Sequence, residues 1–281
     1  MTRGTCRNLF KAVEQGDIIC VIRLLGEGHN PNARDDRGRT PLHYAVKYGV
    51  PMVKVLLREG ADPDVADERG MTPLHIASML GLYDVVKFLL EYSKSNGRRL
   101  NVNVQDENGK TPLHYAARWC HPDVMWLLLV NGAKPNIKSS SGDMPLHKAA
   151  LYMTCVDGVK MLLEAGADPN ARNNDGGRTP LHYASMHGNP RMITLLLKHG
   201  ADPNVQDKEG KTPLHYAVLR RRPEAVKLLL QYGADLTIPD NEGKTPVDYA
   251  RETGYTDIVR IVTEKAATKK TAARRKKAIY A

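Results

Sequence analysis

The sequence predicts an all-α solenoid of about eight stacked helix-turn-helix repeats, and three observations carry the prediction. A Thr-Pro-Leu-His tetrad begins at Thr40, Thr72, Thr111, Thr179 and Thr212, with a Met-Pro-Leu-His variant at Met144 and a Thr-Pro-Val-Asp variant at Thr245. Successive starts lie 32, 39, 33, 35, 33 and 33 residues apart, and a near-constant period of that size marks a repeat array. Each period holds two short apolar stretches. Neither can bury its face alone, so neighbouring copies must stack into one continuous core.

Within a period, local chemistry assigns each element in turn. Thr40 offers a side-chain oxygen to the free amides at a helix start, and Pro41 suits the next position, where no donor is needed. Leu42, Ala45 and Val46 then form a short apolar face. After a break at Gly49, Met52, Val53, Val55, Leu56 and Leu57 mark a second helix, closed by Gly60. Glycine accepts the left-handed conformation that ends helices; its equivalents are Gly28, Gly132, Gly166, Gly200 and Gly233. A linker of the form Ala-Asp-Pro-Asn leads into Asp-x-x-Gly, where Gly38, Gly70, Gly109, Gly142, Gly177, Gly210 and Gly243 supply the turn. The segment Asn8 to Gly28 matches Pro41 to Gly60 with one gap and adds a first, unmarked copy.

The period divides the chain into an N-terminal capping repeat (4–36), repeats at 37–68, 69–107, 108–140, 141–175, 176–208 and 209–241, a C-terminal capping repeat (242–265) and a basic tail (266–281). Departures are local. The third copy carries six extra residues, and its helix-ending glycine is replaced by Ser93 or displaced to Gly97. Its segment Tyr92 to Leu100 is expected to be a mobile loop, because Ser, Lys, Asn, Gly and Arg build loops rather than core. The fifth copy lacks the Thr cap at Met144. In the fourth and seventh copies the inter-helix glycine becomes Cys120 and Arg221.

The net charge of +10 is concentrated at the end: no acidic residue follows Glu264, whereas seven basic ones do, leaving 34 basic against 31 acidic residues elsewhere. The high pI is therefore mostly a property of the tail. The longest apolar run, Val124 to Val130, covers seven residues, too few for a membrane span. Cys6, Cys20, Cys120 and Cys155 give neither a zinc spacing nor a disulfide framework. A cytoplasmic protein is expected, or a nuclear one in a eukaryote.

Taken together, the tetrads, caps and turns resemble the ankyrin repeat over roughly residues 4–265. The resemblance implies antiparallel helix pairs with projecting β-hairpin loops, and a tetrad His that bonds the tetrad Thr and a neighbouring loop. It also implies a non-catalytic scaffold that binds another protein through a concave face made by the hairpin tips and the first helices. Carried over position by position, the hairpin candidates for that face are Arg39, Met71, Lys110, Arg178 and Lys211. The helix candidates are Tyr48, Met79, Arg118, Trp119, Leu151, Tyr152, His187 and Arg220. Tyr, Trp, Met and Arg are the types enriched at protein interfaces. Trp119 is expected to face a partner, and Trp126, on the second helix, to pack between repeats.

Other chemistries find no support in the residues. Stacked helices lie roughly 8–10 Å apart, so equivalent tetrad histidines form a ladder and do not converge on a metal. Gly109-Lys110-Thr111 and its copies end like a phosphate-binding loop, but that motif needs a glycine five residues earlier, where Val104, Val205 and Ile238 stand. No catalytic constellation and no cofactor motif is present. The expectation is a monomer that binds an acidic protein partner and no membrane. The alternative is nucleic-acid or acidic-surface binding by the tail.

Overall fold

The computed structural model describes residues 6–97, 99–152, 154–265 and 267. The tail at 266–281, Ala267 apart, lies outside the described residues. Backbone proximity divides the chain into two compact units, Met1–Ser140 and Ser141–Ala281.

The first unit contains α1 (Leu9–Glu14), α2 (Ile18–Gly26), α3 (Pro41–Ala45, extended by a 3₁₀ turn at Val46–Tyr48), α4 (Val50–Arg58), α5 (Pro73–Met79), α6 (Tyr83–Ser95), α7 (Pro112–Arg118) and α8 (Pro122–Val130). The second contains α9 (Pro145–Ala150), α10 (Val156–Glu164), α11 (Pro180–His187), α12 (Pro190–Lys198), α13 (Pro213–Leu219), α14 (Pro223–Gln231), α15 (Pro246–Thr253) and α16 (256–265). Each unit is thus an all-α stack in which short first helices alternate with second helices. First helices pack on first helices (α5 on α7, α11 on α13), and second on second (α6 on α8, α12 on α14).

The core follows the predicted apolar positions. Leu42, Val53, Leu56, Val86, Leu89, Leu113, Met125 and Leu128 are fully buried in the first unit; Leu146, Val159, Leu162, Leu181, Ile193, Leu196, Leu214 and Val226 are fully buried in the second. Ala45, Ala77 and Ala116 occupy the close seam between first helices, where a larger side chain would force them apart.

The loops between repeats contain no strand among the described residues; each is a tight turn. The amide of Asp35 donates to the Arg39 carbonyl at 3.0 Å, while Asp35 Oδ1 accepts from the amides of Arg37 and Arg39 at 2.9 and 2.8 Å. The carboxylate thereby takes donors that a second cross-strand bond would use, and the expected hairpin shortens to a side-chain-closed turn. Neighbouring turns are joined by single main-chain bonds, as from Glu68 to Arg37 at 3.0 Å and from Glu107 to Arg69 at 2.8 Å.

Three expectations change. The insertion does not begin as loop: α6 runs for 13 residues against nine in α4 and α8. The Tyr92 hydroxyl donates to the Leu57 carbonyl at 2.6 Å, and Ser93 is buried. These anchors carry the helix one turn further, to a left-handed Gly97 at φ 68°. Second, Cys6 and Cys20 form a disulfide, with Cα atoms 5.8 Å apart. Their sequence spacing gave no hint, because the two meet only once α1 has packed on α2. Third, Trp126 is 49% exposed and is not core, since it takes the outer position that Lys54 and Lys87 occupy on α4 and α6.

Among the described residues, left-handed backbone marks the inter-helix turns at Gly16, Gly49, Gly81, Cys120, Gly188, Arg221 and Gly254. Gly81 (φ 69°) must be glycine, for a Cβ there would stand 2.5 Å from the His121 ring. Cys120 and Arg221 adopt φ 53° and 50° without that freedom. No helix among the described residues is long and apolar enough to cross a membrane.

Candidate partner-binding surface

The frame that holds the surface is built from the tetrads. His43 Nδ1 accepts from the Thr40 amide at 3.0 Å and lies 2.9 Å from the Thr40 hydroxyl. Its Nε2–H donates to the Met71 carbonyl of the next loop at 2.9 Å. A carbonyl can only accept, so the proton sits on Nε2 and the ring is neutral. His75 and Lys110 repeat the arrangement at 3.1 Å in the first unit, as do His182 with Lys211 and His215 with Lys244 in the second. Both ring nitrogens are used, which leaves no lone pair for a metal. Burial is the largest influence on His43, His75, His147, His182 and His215, and it lowers their pKa values.

Met144 has no hydroxyl to offer, yet its amide still donates to His147 Nδ1 at 3.1 Å, and His147 Nε2 lies 2.9 Å from the Ala171 carbonyl. In the last copy Asp248 replaces the His. It caps Thr245 through Oδ2 at 2.9 Å from the amide and 2.6 Å from the hydroxyl. With no ring to reach onward, the variant suits a terminal position.

A second recurrent unit ties the turns to the first helices. Tyr44, Tyr115, Tyr216 and Tyr249 donate to Asp35, Asp106, Asp207 and Asp240, each nine residues earlier, at 2.5, 2.5, 2.6 and 2.7 Å. Burial alone would raise Asp35, but bonds from Tyr44 and from the Arg39 and Arg37 amides outweigh it and hold the pKa at about 2. Burial and the bond to Asp35 push Tyr44 up to about 12.

The hairpin candidates are drawn into this network. Arg39 meets Asp35 at 2.9 Å and lies over the Tyr44 ring. Lys110 sits over Tyr115, 5.9 Å from the ring centroid. Arg178 reaches Asp207 at 3.3 Å and Glu209 at 2.9 Å and stacks on Tyr216. Lys211 reaches Glu209 at 3.1 Å and Asp240 at 3.5 Å. Met71 is half-buried, its carbonyl occupied by His43.

The helix candidates divide differently. Trp119 is 52% exposed, and Leu80, its equivalent on the preceding first helix, is 47% exposed. Arg118 lies 5.7 Å from the Trp119 ring centroid, and its buried Nε has no partner. Met79 is half-buried and its carbonyl accepts from His121 at 3.1 Å. Tyr48 is half-buried, held by a bond to the Glu14 carbonyl. In the second unit Leu151 is exposed, Tyr152 and His187 are half-buried, and Arg220 is exposed. Burial first, then Arg222 and Arg220, lowers the His187 pKa.

A family model described as "Ankyrin repeats (3 copies)" matches the chain in overlapping windows, at residues 9–101, 51–142, 96–173, 146–240 and 181–273. The chain belongs to the ankyrin repeat family. An ankyrin repeat protein of fowlpox virus (strain NVSL) is 52% identical over 42 residues, which cover 15% of this chain and 30% of the relative. One from Pyrobaculum aerophilum is 49% identical over 39 residues, 14% of this chain and 15% of the relative. The matched stretches thus span less than a third of either relative. Proteins built from ankyrin repeats are generally protein–protein interaction scaffolds rather than catalysts.

Sequence reasoning missed the Asp–Tyr bonds of this ankyrin array, although the constant nine-residue offset was a readable signal. It also missed Arg222, which reaches back to the Met186 carbonyl at 3.3 Å. No local pattern announces a contact 36 residues away.

Proposed function

We propose that this ankyrin protein is a non-catalytic scaffold that recognises another protein through the first-helix face, the concave face of ankyrin arrays. The observation that carries the reading is the group Leu80, Arg118 and Trp119: an exposed aliphatic, an exposed aromatic and a guanidinium with an unpartnered Nε, on adjoining first helices. Such a group supplies a large contact area at little ordering cost, and interface hot spots concentrate in Trp and Arg. In the second unit, Leu151, Tyr152, His187 and Arg220 hold the corresponding positions of their own repeats.

Arg39, Lys110, Arg178 and Lys211 spend much of their charge on internal carboxylates or rings, so their role in this reading is to fix the turns. An acidic side chain of the partner would then answer Arg118 or Arg220. We propose further that the chain works as a monomer and away from membranes. Affinity capture from the native cell with the full chain, with Trp119→Ala and without residues 266–281 tests the reading. A specific partner should be retained by the truncated chain and lost by Trp119→Ala with unchanged circular dichroism. Loss on truncation alone would favour the tail instead.

A further inference from the structure

Two departures from the ankyrin pattern meet on the second-helix side of the first unit. α6 and α8 pack against each other, and a cleft of about 530 Å³ lies at their C-terminal ends, lined after α6 by Arg99 and Leu100. Leu90, Leu100, Val102 and Val130 give it an apolar lining, and its ionisable lining residues are Lys94 and Arg99. Among the described residues no acidic side chain lines it, and neither cation forms an ion pair with one of them. Glu91 faces Lys87 at 4.0 Å, and Asp64 stands at the rim, where it accepts from the amide of Asn101, a lining residue, at 3.4 Å.

The second departure lies on α8. Where α6 and α10 carry the outward pairs Lys87–Glu91 and Lys160–Glu164, α8 carries Trp126 and Val130 one turn apart. They are 49% and 58% exposed. Val130 belongs to the cleft and Trp126 continues its apolar surface along the same helix. The volume is that of a small-ligand or side-chain pocket, and the two ionisable side chains that line it are both basic.

We infer that this cleft docks a segment of a partner protein in which a bulky apolar side chain is flanked by carboxylates. The apolar group covers Val130 and reaches Trp126, while the carboxylates pair with Lys94 and Arg99. Charge complementarity selects this occupant: the chain's own basic tail would be repelled. The site is separate from the first-helix face.

The test uses the full chain carrying Trp119→Phe, so that Trp126 is the sole tryptophan. The probes are blocked hexapeptides with leucine or phenylalanine between glutamates, matched peptides with lysine for glutamate, and matched peptides with serine for the apolar residue. Saturable change in Trp126 emission is expected with the acidic apolar set alone, weakened by salt. Lys94→Glu with Arg99→Glu should weaken it about tenfold or more, as expected for loss of charge-assisted bonds. A second variant, Val130→Ser, should weaken it without altering charge, and circular dichroism checks the fold of each.

Absence of saturable binding by any acidic apolar peptide overturns the inference, as does equal binding of the lysine set or unchanged affinity in the double variant. Sedimentation of the protein alone supplies a further arm. A dimer dispersed by the same charge reversal would make a second copy the occupant and overturn the assignment. None of these outcomes bears on Trp119→Ala in affinity capture, so failure here and failure of the first-helix reading are distinguishable.

Discussion

The Nε2–H of His182 donates to the main-chain carbonyl of Lys211, 3.1 Å away in the following loop, while Nδ1 accepts from the Thr179 amide at 3.0 Å. One ring therefore caps its own helix and fastens the next repeat. A proton on Nδ1 would turn that acceptor into a donor facing a donor, and burial, the largest influence, lowers the pKa of the ring.

Acid is expected to loosen the stack before it touches the carboxylates. His43, His75, His147, His182 and His215 have folded pKa values below the ordinary 6.5, that of His182 at about 4. Between those values the unfolded chain binds more protons than the folded one, so stability falls as pH falls. It should be level above about pH 6.5 and decline steadily toward pH 4, with urea midpoints reporting the change. Asp35, held at about 2, adds its loss only below its ordinary 3.8. A urea midpoint that stays constant through the histidine window would refute the lowered pKa values of the buried rings.

Two buried hydroxyls are expected to be liabilities. Ser78 and Ser185 are fully buried on α5 and α11, and neither Oγ has a partner. Equivalent positions hold Ala117 and Ala150. Ser78→Ala and Ser185→Ala should each stabilise by about 1 kcal/mol, since an unsatisfied buried polar group costs about 1–3 kcal/mol and alanine favours helix. Chemical denaturation decides it; destabilisation would reveal a hidden partner.

Arg221 should be improvable. Its φ of 50° occupies a turn where Gly188 and Gly254 stand in neighbouring copies, and a left-handed side-chain-bearing residue costs roughly 1–2 kcal/mol. Glycine returns part of that gain through unfolded-chain entropy, and the exposed contact with Asp257 at 3.8 Å contributes little. A net gain of about 0.5–1 kcal/mol is expected from Arg221→Gly by thermal melting. A clear loss would show that the side chain holds the turn.

Neither tryptophan should matter to the fold. Trp119 and Trp126 are both about half exposed, whereas truncating a core Trp costs about 3–5 kcal/mol. Trp119→Ala and Trp126→Ala should each cost under about 1 kcal/mol, as surface substitutions do. Trp119→Ala should weaken partner capture by about 2 kcal/mol or more if it is a hot spot, leaving peptide docking at the α6–α8 cleft unchanged. Severe destabilisation by Trp119→Ala with intact capture would displace the binding face.

The sequence by itself determined the period, the helix starts, the turn glycines and the buried apolar positions. Each rests on neighbours within a few residues: Thr40 caps a helix that Pro41 begins, and Gly60 ends the next one. Even the role of His43 was legible through the resemblance its tetrad carries. Tertiary structure decided what the chain could not announce locally. Arg178 finds Asp207, 29 residues on, and so ceases to be a free cation. Cys20 finds Cys6 once α1 has packed on α2. Tyr92 finds the Leu57 carbonyl, 35 residues back, and turns part of a predicted loop into helix. Local capping energies are set by sequence spacing, whereas pairing across a repeat depends on stacking register, which exists only once neighbouring helices have packed.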